Sequence, residues 1–348
     1  MIAYEISPTP EFSAIQIGNG TIYHQRGEYQ LTDSELILPV NRSYRPQIPA
    51  VINPHSHPEK FIYDKLINDT VPDDAELYDK EHRIRMFGKT LLVVGLESSD
   101  DISQTFSSKY LDNSSASRNA FQVLDSMAIR LEKSGCTATL GLHGSHMVGL
   151  NGVESDMDLV AWASRDEREE TLELIDDTLQ SLGYIPANDT AKFDEYSIRI
   201  ANLTGLSKKT GAYLASQRNR WISPNGTGTS LQLIHSDYDH GTAKSILEGA
   251  LNNELEYSET VTDLHVSVIP GSEPFNYPRI WNVDAHGQNV QVISFNMVHQ
   301  GMGTNGLNAD SDIGECALTG SRYNLYDGRI VYCLQENGDY ILPVNLVA

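Results

Sequence analysis

The sequence predicts an α+β protein in which a central domain of mixed sheet and flanking helices lies between two β-rich regions. Three observations lead to this prediction. The chain has 348 residues, a length that suits two or three domains. Residues 1–112 and 261–348 are rich in β-branched and aromatic residues interrupted by proline and glycine, as is typical of short strands. Residues 113–260 instead alternate helical apolar stripes with short apolar runs.

The N-terminal region, residues 1–112, contains strand-like stretches such as ELILPV and KTLLVVGL, and the segment KFIYDKLIND predicts a helix. It also contains His55, His57 and His82, and histidines are frequent ligands of catalytic metal ions. A metallohydrolase site is therefore one hypothesis for this region. The alternating strand–helix pattern that usually presents a His-x-His pair is missing from it, and a proline-flanked loop is the alternative.

The central region, residues 113–260, begins with a predicted amphipathic helix. Its apolar positions recur at three- and four-residue steps and are Phe121, Leu124, Met127, Ala128 and Leu131. Asn119, or Ser117 before it, is the expected N-cap of this helix. The short apolar run TATLGL follows and predicts a strand, and the run MDLVAWA predicts a second strand.

A second stripe, formed by Leu172, Ile175, Leu179 and Leu182, predicts another helix. Asp166 is its expected N-cap, and Gly183 is expected to end it. The stretch SKKTGAYLASQRNRW predicts a further helix, which leads through the glycine-rich turn SPNGTGT to the predicted strand SLQLIHS.

The C-terminal region, residues 261–348, predicts strands at HVSVI, NVQVISF, RIVYCL and DYILPV, with DG and NG turns between them. The five-residue run ILPVN occurs at residues 37–41 and again at residues 341–345. Each copy follows a predicted hairpin segment, GTIYHQ or GRIVYC. The two flanking regions are therefore candidates for related β modules, with a chance match as the alternative.

Charge and composition narrow the classes of function. The net charge is −22 and the isoelectric point is about 4.7, which argues against broad binding of long nucleic acid, because such binding needs clustered Lys and Arg. The three cysteines form no close CxxC pair, so neither a disulfide framework nor a zinc ribbon is expected. No signal-peptide pattern and no apolar run of about 20 residues occurs. A soluble, cytoplasmic protein, either monomeric or a homo-oligomer, is the expectation.

The run HGSHMVGLNGVESDMDLV, residues 143–160, contains the residues that point to a chemistry. Side chains two apart on a strand share a face, so Asp156 and Asp158 are expected to project together. Two carboxylates held this close repel each other unless a cation lies between them, and Mg²⁺ prefers such oxygen ligands together with substrate phosphates. Upstream, Gly144 permits close backbone approach, while the Ser145 hydroxyl and the following N–H groups are suited to a phosphate.

This arrangement resembles the signature of the DNA polymerase β-like nucleotidyltransferase superfamily, in which a Gly-Ser turn, a spacer and Asp-x-Asp follow in order. Here Gly144-Ser145, the spacer from His146 to Ser155, and Asp156-Met157-Asp158 match it, and the likeness extends from Asn119 to roughly Tyr238. The resemblance implies two-metal phosphoryl transfer with Mg²⁺, or alternatively Mn²⁺. The alternative for the same residues is a plain turn followed by two solvated aspartates.

The resemblance also implies a third carboxylate on a later strand, and here the sequence departs from the pattern. The strand SLQLIHS carries Gln232 where an acidic residue is expected, and Asp237 is the nearest substitute. Asp156, Asp158 and Asp237 are therefore the predicted metal ligands and catalytic residues. A neutral Gln232 would weaken binding of the metal that activates the acceptor.

Basic residues precede this strand. They are Lys208, Lys209, Arg218 and Arg220. The resemblance implies that this segment faces the triphosphate, where Lys and Arg would bind it and stabilise the leaving pyrophosphate. Tyr213 or Trp221 would stack on the base. The alternative is a solvated helix face whose aromatic residues belong to the core.

Together these observations predict a Mg²⁺-dependent nucleotidyltransferase that binds ATP or another NTP or dNTP and transfers its nucleoside monophosphate to a hydroxyl acceptor. The acceptor is a nucleotide, a short oligonucleotide or a protein side chain. The acidic composition favours untemplated synthesis of a short oligonucleotide or a signal nucleotide, as in similar anti-phage enzymes. The alternative is a catalytically degenerate nucleotide-binding or scaffold protein.

Overall fold

The computed structural model describes residues 14–17, 21–25, 29–30, 36–46, 63–67, 81–86, 89–96, 102–106, 118–147, 155–236, 245–246, 255–272, 274, 276, 278–296, 299, 302, 314–334 and 336–347. Before residue 120 it describes the backbone, with side chains at Thr21 and Ile22 alone. The chain divides into two compact units, Met1–Gln122 with Leu140–Asp158, and Val123–Thr139 with Leu159–Ala348. The structure contains helices, and its sheets contain both antiparallel and parallel strand pairs. The α+β class is therefore confirmed.

The first sheet belongs to the N-terminal region. Its strands are β1 (Ala14–Ile17), β2 (Ile22–Gln25), β3 (Tyr29–Gln30), β4 (Leu36–Pro46), β5 (Tyr63–Ile67), β6 (Glu81–Met86), β7 (Lys89–Leu96) and β8 (Ile102–Phe106). They are ordered β6-β7-β4-β2-β1-β8, and β3 and β5 also pair with β4. The long strand β4 therefore organises this sheet.

The predicted helix in KFIYDKLIND is wrong, because its described residues form strand β5. Tyr63 to Ile67 pair antiparallel with Pro46 to Arg42 of β4. Apolar residues at both ends of this short segment fit either structure, and pairing with a long neighbouring strand overrides local helix propensity.

The second sheet lies in the central region. Its elements, in chain order, are α1 (Arg118–Ser134), β9 (Thr139–His143), a 3₁₀ turn (Gly144–His146), β10 (Met157–Ala163), α2 (Arg168–Ser181), β11 (Ile185–Pro186), a 3₁₀ turn (Ala187–Asp189), α3 (Lys192–Thr204), α4 (Lys208–Ser216), β12 (Asn219–Ile222) and β13 (Gly228–His235). The strand order is β11-β12-β13-β10-β9. The predicted strands at TATLGL, MDLVAWA and SLQLIHS are confirmed.

Helix α1 follows the predicted stripe with one exception. Leu124, Met127 and Leu131 are buried, whereas Ala128 is exposed. The helix begins at Arg118, which leaves Asn119 inside the helix, so Asn119 as N-cap is wrong. Ser117, the other predicted cap, lies outside the described residues.

Helix α2 buries Leu172, Ile175 and Leu179 as predicted, while Leu182, just past its end, is 40% exposed. Gly183 has a φ of +83°, a backbone conformation that favours glycine, so its role in ending the helix is confirmed. The N-cap is Glu167 rather than Asp166, which corrects the predicted start by one residue.

Glu167 joins the start of α2 to the segment before β9. Its carboxylate accepts hydrogen bonds from Thr137 N–H at 2.9 Å, from Thr137 Oγ1 at 2.7 Å and from Ser164 Oγ at 3.0 Å. The bonds from Thr137, followed by those from Ser164, lower the pKa of Glu167. One carboxylate thus joins the segment before the edge strand β9 to the turn that follows β10.

Helices α3 and α4 pack closely on each other. A Cβ at Gly211 would lie 2.5 Å from Ser197 O and 2.7 Å from Ala201 Cβ, so only glycine fits at this point of α4. The predicted helix SKKTGAYLASQRNRW is correct up to Ser216, but β12 begins at Asn219. Arg220 therefore lies on a strand, and the hairpin partner β13 explains the change.

The C-terminal region forms a closed barrel. Its strands are β14 (Leu255–Val268), β15 (Arg279–Ala285), β16 (Gln288–Ser294), β17 (Glu315–Leu325) and β18 (Ile330–Cys333), followed by β19 (Tyr340–Pro343) and a short helix α5 (Val344–Val347). The order β14-β15-β16-β18-β17 closes because β17 also pairs with β14, and β19 adds to β17. Strand β18 lies between β16 and β17 and runs parallel to β16, so the strands are connected as a Greek key. Trp281, Val283, Val292 and Leu318 are buried in its core.

The two ILPVN segments are not a structural repeat. The first lies within the 11-residue strand β4, whereas in the second the strand ends at Pro343 and α5 begins at Val344. Strand β2 pairs with β4, but β18 lies between β16 and β17 and not beside β19. The match in sequence therefore reflects chance.

Among the described helices, none combines the length and the apolar character needed to cross a lipid bilayer.

Candidate functional site

The Gly144-Ser145 pair lies in a tight turn at the end of β9. The strand ends at His143, and a 3₁₀ turn runs from Gly144 to His146. Gly144 is buried and has a φ of +69°, where a Cβ would be strained. Ser145 is partly exposed. The predicted Gly-Ser turn is confirmed, and its backbone conformation favours the glycine.

Asp156 and Asp158 flank the first residue of β10. Asp156 is exposed and Asp158 is partly exposed, whereas Met157 and Leu159 are 7% and 1% exposed. The alternation places both carboxylates on one side of the chain and both apolar side chains in the core, as predicted. The exposure is confined to the amino end of β10, because Val160 and Trp162, further along the same side, are buried.

His146 links the turn to these aspartates. Its Nε2–H donates a hydrogen bond of 3.5 Å to Ser155 O, one residue before Asp156. Burial lowers the pKa of His146, while Ser155 and the negative charges of Asp158 and Asp156 act in the opposite direction. The turn is thus bonded to the residue directly before Asp156, and the lowered pKa leaves the imidazole neutral at neutral pH.

His146 directly follows Gly144-Ser145 in the sequence, a position that suits either a substrate contact or a local hydrogen bond. The structure places it in a local bond that holds the end of the turn beside the entrance to β10. In the sequence, only its position directly after Gly144-Ser145 pointed to a role for His146. The spacer residues show no pattern that predicts its contact with Ser155.

The third carboxylate is not among the described side chains near these residues. Within the part of the chain that the structure describes, no group of three or more His, Cys, Asp or Glu side chains is arranged to hold a metal ion. Gln232 lies, partly exposed, on β13, the strand beside β10. Asp237 lies outside the described residues. Ser236 N–H, just before it, bonds at 2.9 Å to Ala163 O at the carboxyl end of β10, whereas Asp156 and Asp158 lie at the amino end.

Arg218 and Arg220 converge on one tyrosine. Arg218 Nη1 donates to Tyr196 Oη at 3.2 Å, and the Arg220 guanidinium lies 4.5 Å from the centre of the Tyr196 ring, a cation–π contact. Both arginines are partly exposed. Their positive charges are concentrated on one side of α3, where Tyr196 fixes their positions.

Lys208 and Lys209 begin helix α4. Both are exposed, and Lys209 Nζ donates to Asn345 O at 3.3 Å.

The two aromatic candidates for base stacking, Trp221 and Tyr213, belong to packed regions. Trp221 is 5% exposed and donates from Nε1 to Asp176 Oδ1 at 2.6 Å, and burial raises the pKa of Tyr213 to about 12. The prediction that Trp221 stacks on a base is therefore wrong.

The histidines of the alternative metal site are not assembled in what the structure describes. His55 and His57 lie outside the described residues, and of His82 only the backbone, in strand β6, is described.

No protein-family model, curated protein or solved structure matches this chain. The case for a function therefore rests on the residues themselves and their arrangement.

Proposed function

We propose that this protein is a Mg²⁺-dependent nucleotidyltransferase that transfers a nucleoside monophosphate from an NTP or dNTP to a hydroxyl acceptor. The observation that carries the proposal is the bond from His146, the last residue of the Gly144-Ser145 turn, to Ser155 O, directly before Asp156. A phosphate-binding turn and a cation-binding carboxylate pair are the two parts that such a reaction needs in one place.

The donor set suits a hard divalent cation. Asp156 and Asp158 present carboxylate oxygens at the amino end of β10, where Asp156 is exposed and Asp158 is partly exposed, and oxygen ligands of this kind are those that Mg²⁺ prefers. When bound, the cation supplies positive charge to the phosphates and lowers the pKa of the attacking hydroxyl. In the reaction, the acceptor oxygen forms a bond to the α-phosphorus, the α–β phosphoanhydride bond breaks, and pyrophosphate leaves.

The chain's own residues bind and orient the nucleotide in this proposal. Gly144 leaves the backbone open to a phosphate, and the Ser145 hydroxyl donates to a phosphate oxygen. His146 acts as a positioning residue, since its bond to Ser155 O holds the turn beside the aspartates. Lys208, Lys209, Arg218 and Arg220 are the proposed triphosphate ligands. Asp237 stays the proposed third carboxylate on the sequence pattern, although Ser236 before it bonds to the carboxyl end of β10, away from Asp156 and Asp158.

The proposed class of acceptor follows from the net charge of the chain. A chain of net charge −22 repels a long polyanion, so a nucleotide, a short oligonucleotide or a protein side chain fits better than a long template. Untemplated synthesis of a short oligonucleotide or a signal nucleotide, as in anti-phage enzymes, is the proposed outcome.

The test is to incubate the full chain with labelled NTPs and dNTPs in Mg²⁺ or Mn²⁺, and to measure pyrophosphate release and the masses of products and protein. Asp156→Asn and Asp158→Asn should each lower the rate by about a hundredfold or more with an unchanged circular dichroism spectrum. Asp166→Asn, an exposed change in the turn before α2, is the matched control. Full activity in the Asp156→Asn, Asp158→Asn double variant would refute the assignment.

A second candidate function is nucleotide binding without turnover. Gln232 on the strand beside β10 favours it, because an amide is a weaker Mg²⁺ ligand than a carboxylate. In the same incubation, tight nucleotide binding without pyrophosphate release would identify this binding or scaffold role.

A further inference from the structure

A groove with a volume of about 730 Å³ lies on the outside of the C-terminal barrel. Strands β15 and β16 form its floor. Ile269 and Pro270, directly after β14, form one wall, and the turn from Asp327 to Arg329 between β17 and β18 forms the other. This volume is in the range of roughly 300–1,000 Å³ that small-molecule sites occupy.

The floor of the groove is rich in primary amides because of strand alternation. Trp281 pairs with Val292 and Val283 pairs with Val290, and these side chains fill the barrel core. The positions between them face outward, and Asn282 lies directly opposite Gln291. The amide-bearing residues that line the groove are Asn282, Gln288, Asn289 and Gln291. A primary amide carries both donors and an acceptor; Asn282 Nδ2 already donates to Gly271 O at 2.8 Å, so Gln288, Asn289 and Gln291 are the amides proposed to bind a ligand.

The charges of the groove cancel. Arg329 Nε donates to Asp327 Oδ2 at 2.6 Å, and Arg329 Nη2 donates to Ser245 Oγ at 2.8 Å. Backbone and side-chain hydrogen bonds from Arg329 lower the pKa of Asp327, so the Asp327 carboxylate beside the Arg329 guanidinium is ionised at neutral pH. Sites for single-stranded nucleic acid need a net positive charge to bind the phosphates. The groove offers none.

The floor strands leave only a short edge for an extended peptide. β15 pairs with β14 and β16, and β16 pairs with β15 and, from Gln291 to Ile293, with β18. Peptides that bind by adding a strand need a run of unpaired backbone groups at an edge. The outward side chains are therefore the main groups that this floor offers to a ligand.

We propose that this groove binds a neutral oligosaccharide. Closely spaced hydroxyl groups both donate and accept hydrogen bonds, as the amides of the floor do, and the C–H faces of sugar rings suit the apolar walls formed by Ile269, Pro270 and Ile330. Tyr326, which is 82% exposed, directly precedes the lining residue Asp327 in the chain. The proposal does not depend on nucleotidyl transfer.

The test uses the full chain without nucleotide or divalent cation. Short neutral oligosaccharides, namely maltotriose, cellotriose, xylotriose and chitotriose, are titrated by calorimetry and by backbone NMR shifts. At least one should bind, and Asn289→Ala and Gln291→Ala should each weaken that binding about five- to tenfold through loss of a hydrogen bond. Asn188→Ala, an exposed amide in the turn between β11 and α3, should leave the affinity unchanged.

Three results would overturn the proposal. The first is the absence of binding by every oligosaccharide at millimolar concentration. The second is binding that Asn289→Ala and Gln291→Ala leave unchanged. The third is salt-sensitive binding of an oligothymidylate that these variants weaken, which would assign the groove to single-stranded nucleic acid. None of these results bears on pyrophosphate release, so failure here and failure of the proposed enzymatic activity are distinguishable.

Discussion

At the scale of single residues, the shared side of Asp156 and Asp158 at the start of β10 was predictable. The contact between His146 of the turn and Ser155, just before Asp156, was not. Alternation along a strand depends only on neighbours in sequence, so the positions of Asp156, Met157 and Asp158 follow from the run MDLVAWA. The bond from His146 to Ser155 O spans nine positions. It depends on the path of the intervening chain, which no periodicity encodes.

Gln232 supplies a prediction about the missing carboxylate. Gln232→Glu adds a negative oxygen ligand on the strand beside β10, and we expect the Mg²⁺ concentration for half-maximal pyrophosphate release to fall about tenfold. Gln217→Glu, the same change at the end of α4, is the control. An unchanged Mg²⁺ requirement in a folded Gln232→Glu variant would exclude Gln232 from the metal's surroundings.

Glu167 supplies a prediction about pH. Because its pKa is lowered by the bonds from Thr137 and Ser164, its stabilising contribution is present above the ordinary carboxyl value of about 4.5 and is lost as the pH falls through the lowered value. Glu167→Gln should therefore lower the urea midpoint at about pH 7, and the gap between variant and parent should narrow towards about pH 3. A gap that stays constant over this range would contradict the role of the charge.

At the scale of elements, helices with continuous apolar stripes were predictable, whereas α3 was missed. Its buried face consists of Ser197, Ile200, Ala201 and Thr204, and small or hydroxyl side chains give a weak apolar pattern. Those small side chains suit the close approach of α4 at Gly211. The end of the predicted helix near Ser216 was also missed, because the pairing of β12 with β13 is a property of both strands.

The close contact between α3 and α4 predicts that a single methyl group added at Gly211 destabilises the protein. Gly211→Ala improves helix propensity by about 1 kcal/mol, yet its Cβ would meet Ser197 O at 2.5 Å. We expect a net loss of about 1–3 kcal/mol in the free energy of unfolding, measured by urea denaturation. Asn202→Ala, on the exposed side of α3, is the control and should not destabilise. A Gly211→Ala variant more stable than the parent would show that the helices separate without cost.

At the scale of the whole molecule, strands were predictable in the C-terminal region but the closed barrel was not. Closure depends on β14 pairing with β17, for example Val266 with Cys316 and Leu264 with Leu318. These partners are about 50 residues apart in the chain, and strand periodicity predicts which face is buried but not which strand is the neighbour.

The net charge of −22 supplies a prediction for the complete chain. Like charges on one surface repel, and salt screens this repulsion, with a Debye length falling from about 10 Å at 0.1 M to about 3 Å at 1 M. The thermal unfolding midpoint should therefore rise by several degrees as KCl is raised over this range, measured by circular dichroism at neutral pH. A midpoint that falls with added KCl would mean that attractive ion pairs outweigh the repulsion.

The most direct test of the account is Mn²⁺ binding to the full chain, followed by electron paramagnetic resonance with and without a non-hydrolysable NTP analogue. The account predicts one Mn²⁺ site that is tightened by the analogue, lost in the Asp156→Asn, Asp158→Asn double variant and retained in Asp166→Asn. Mn²⁺ binding of equal strength in the double variant and the parent would contradict it, as would the absence of any Mn²⁺ site in the parent with the analogue present.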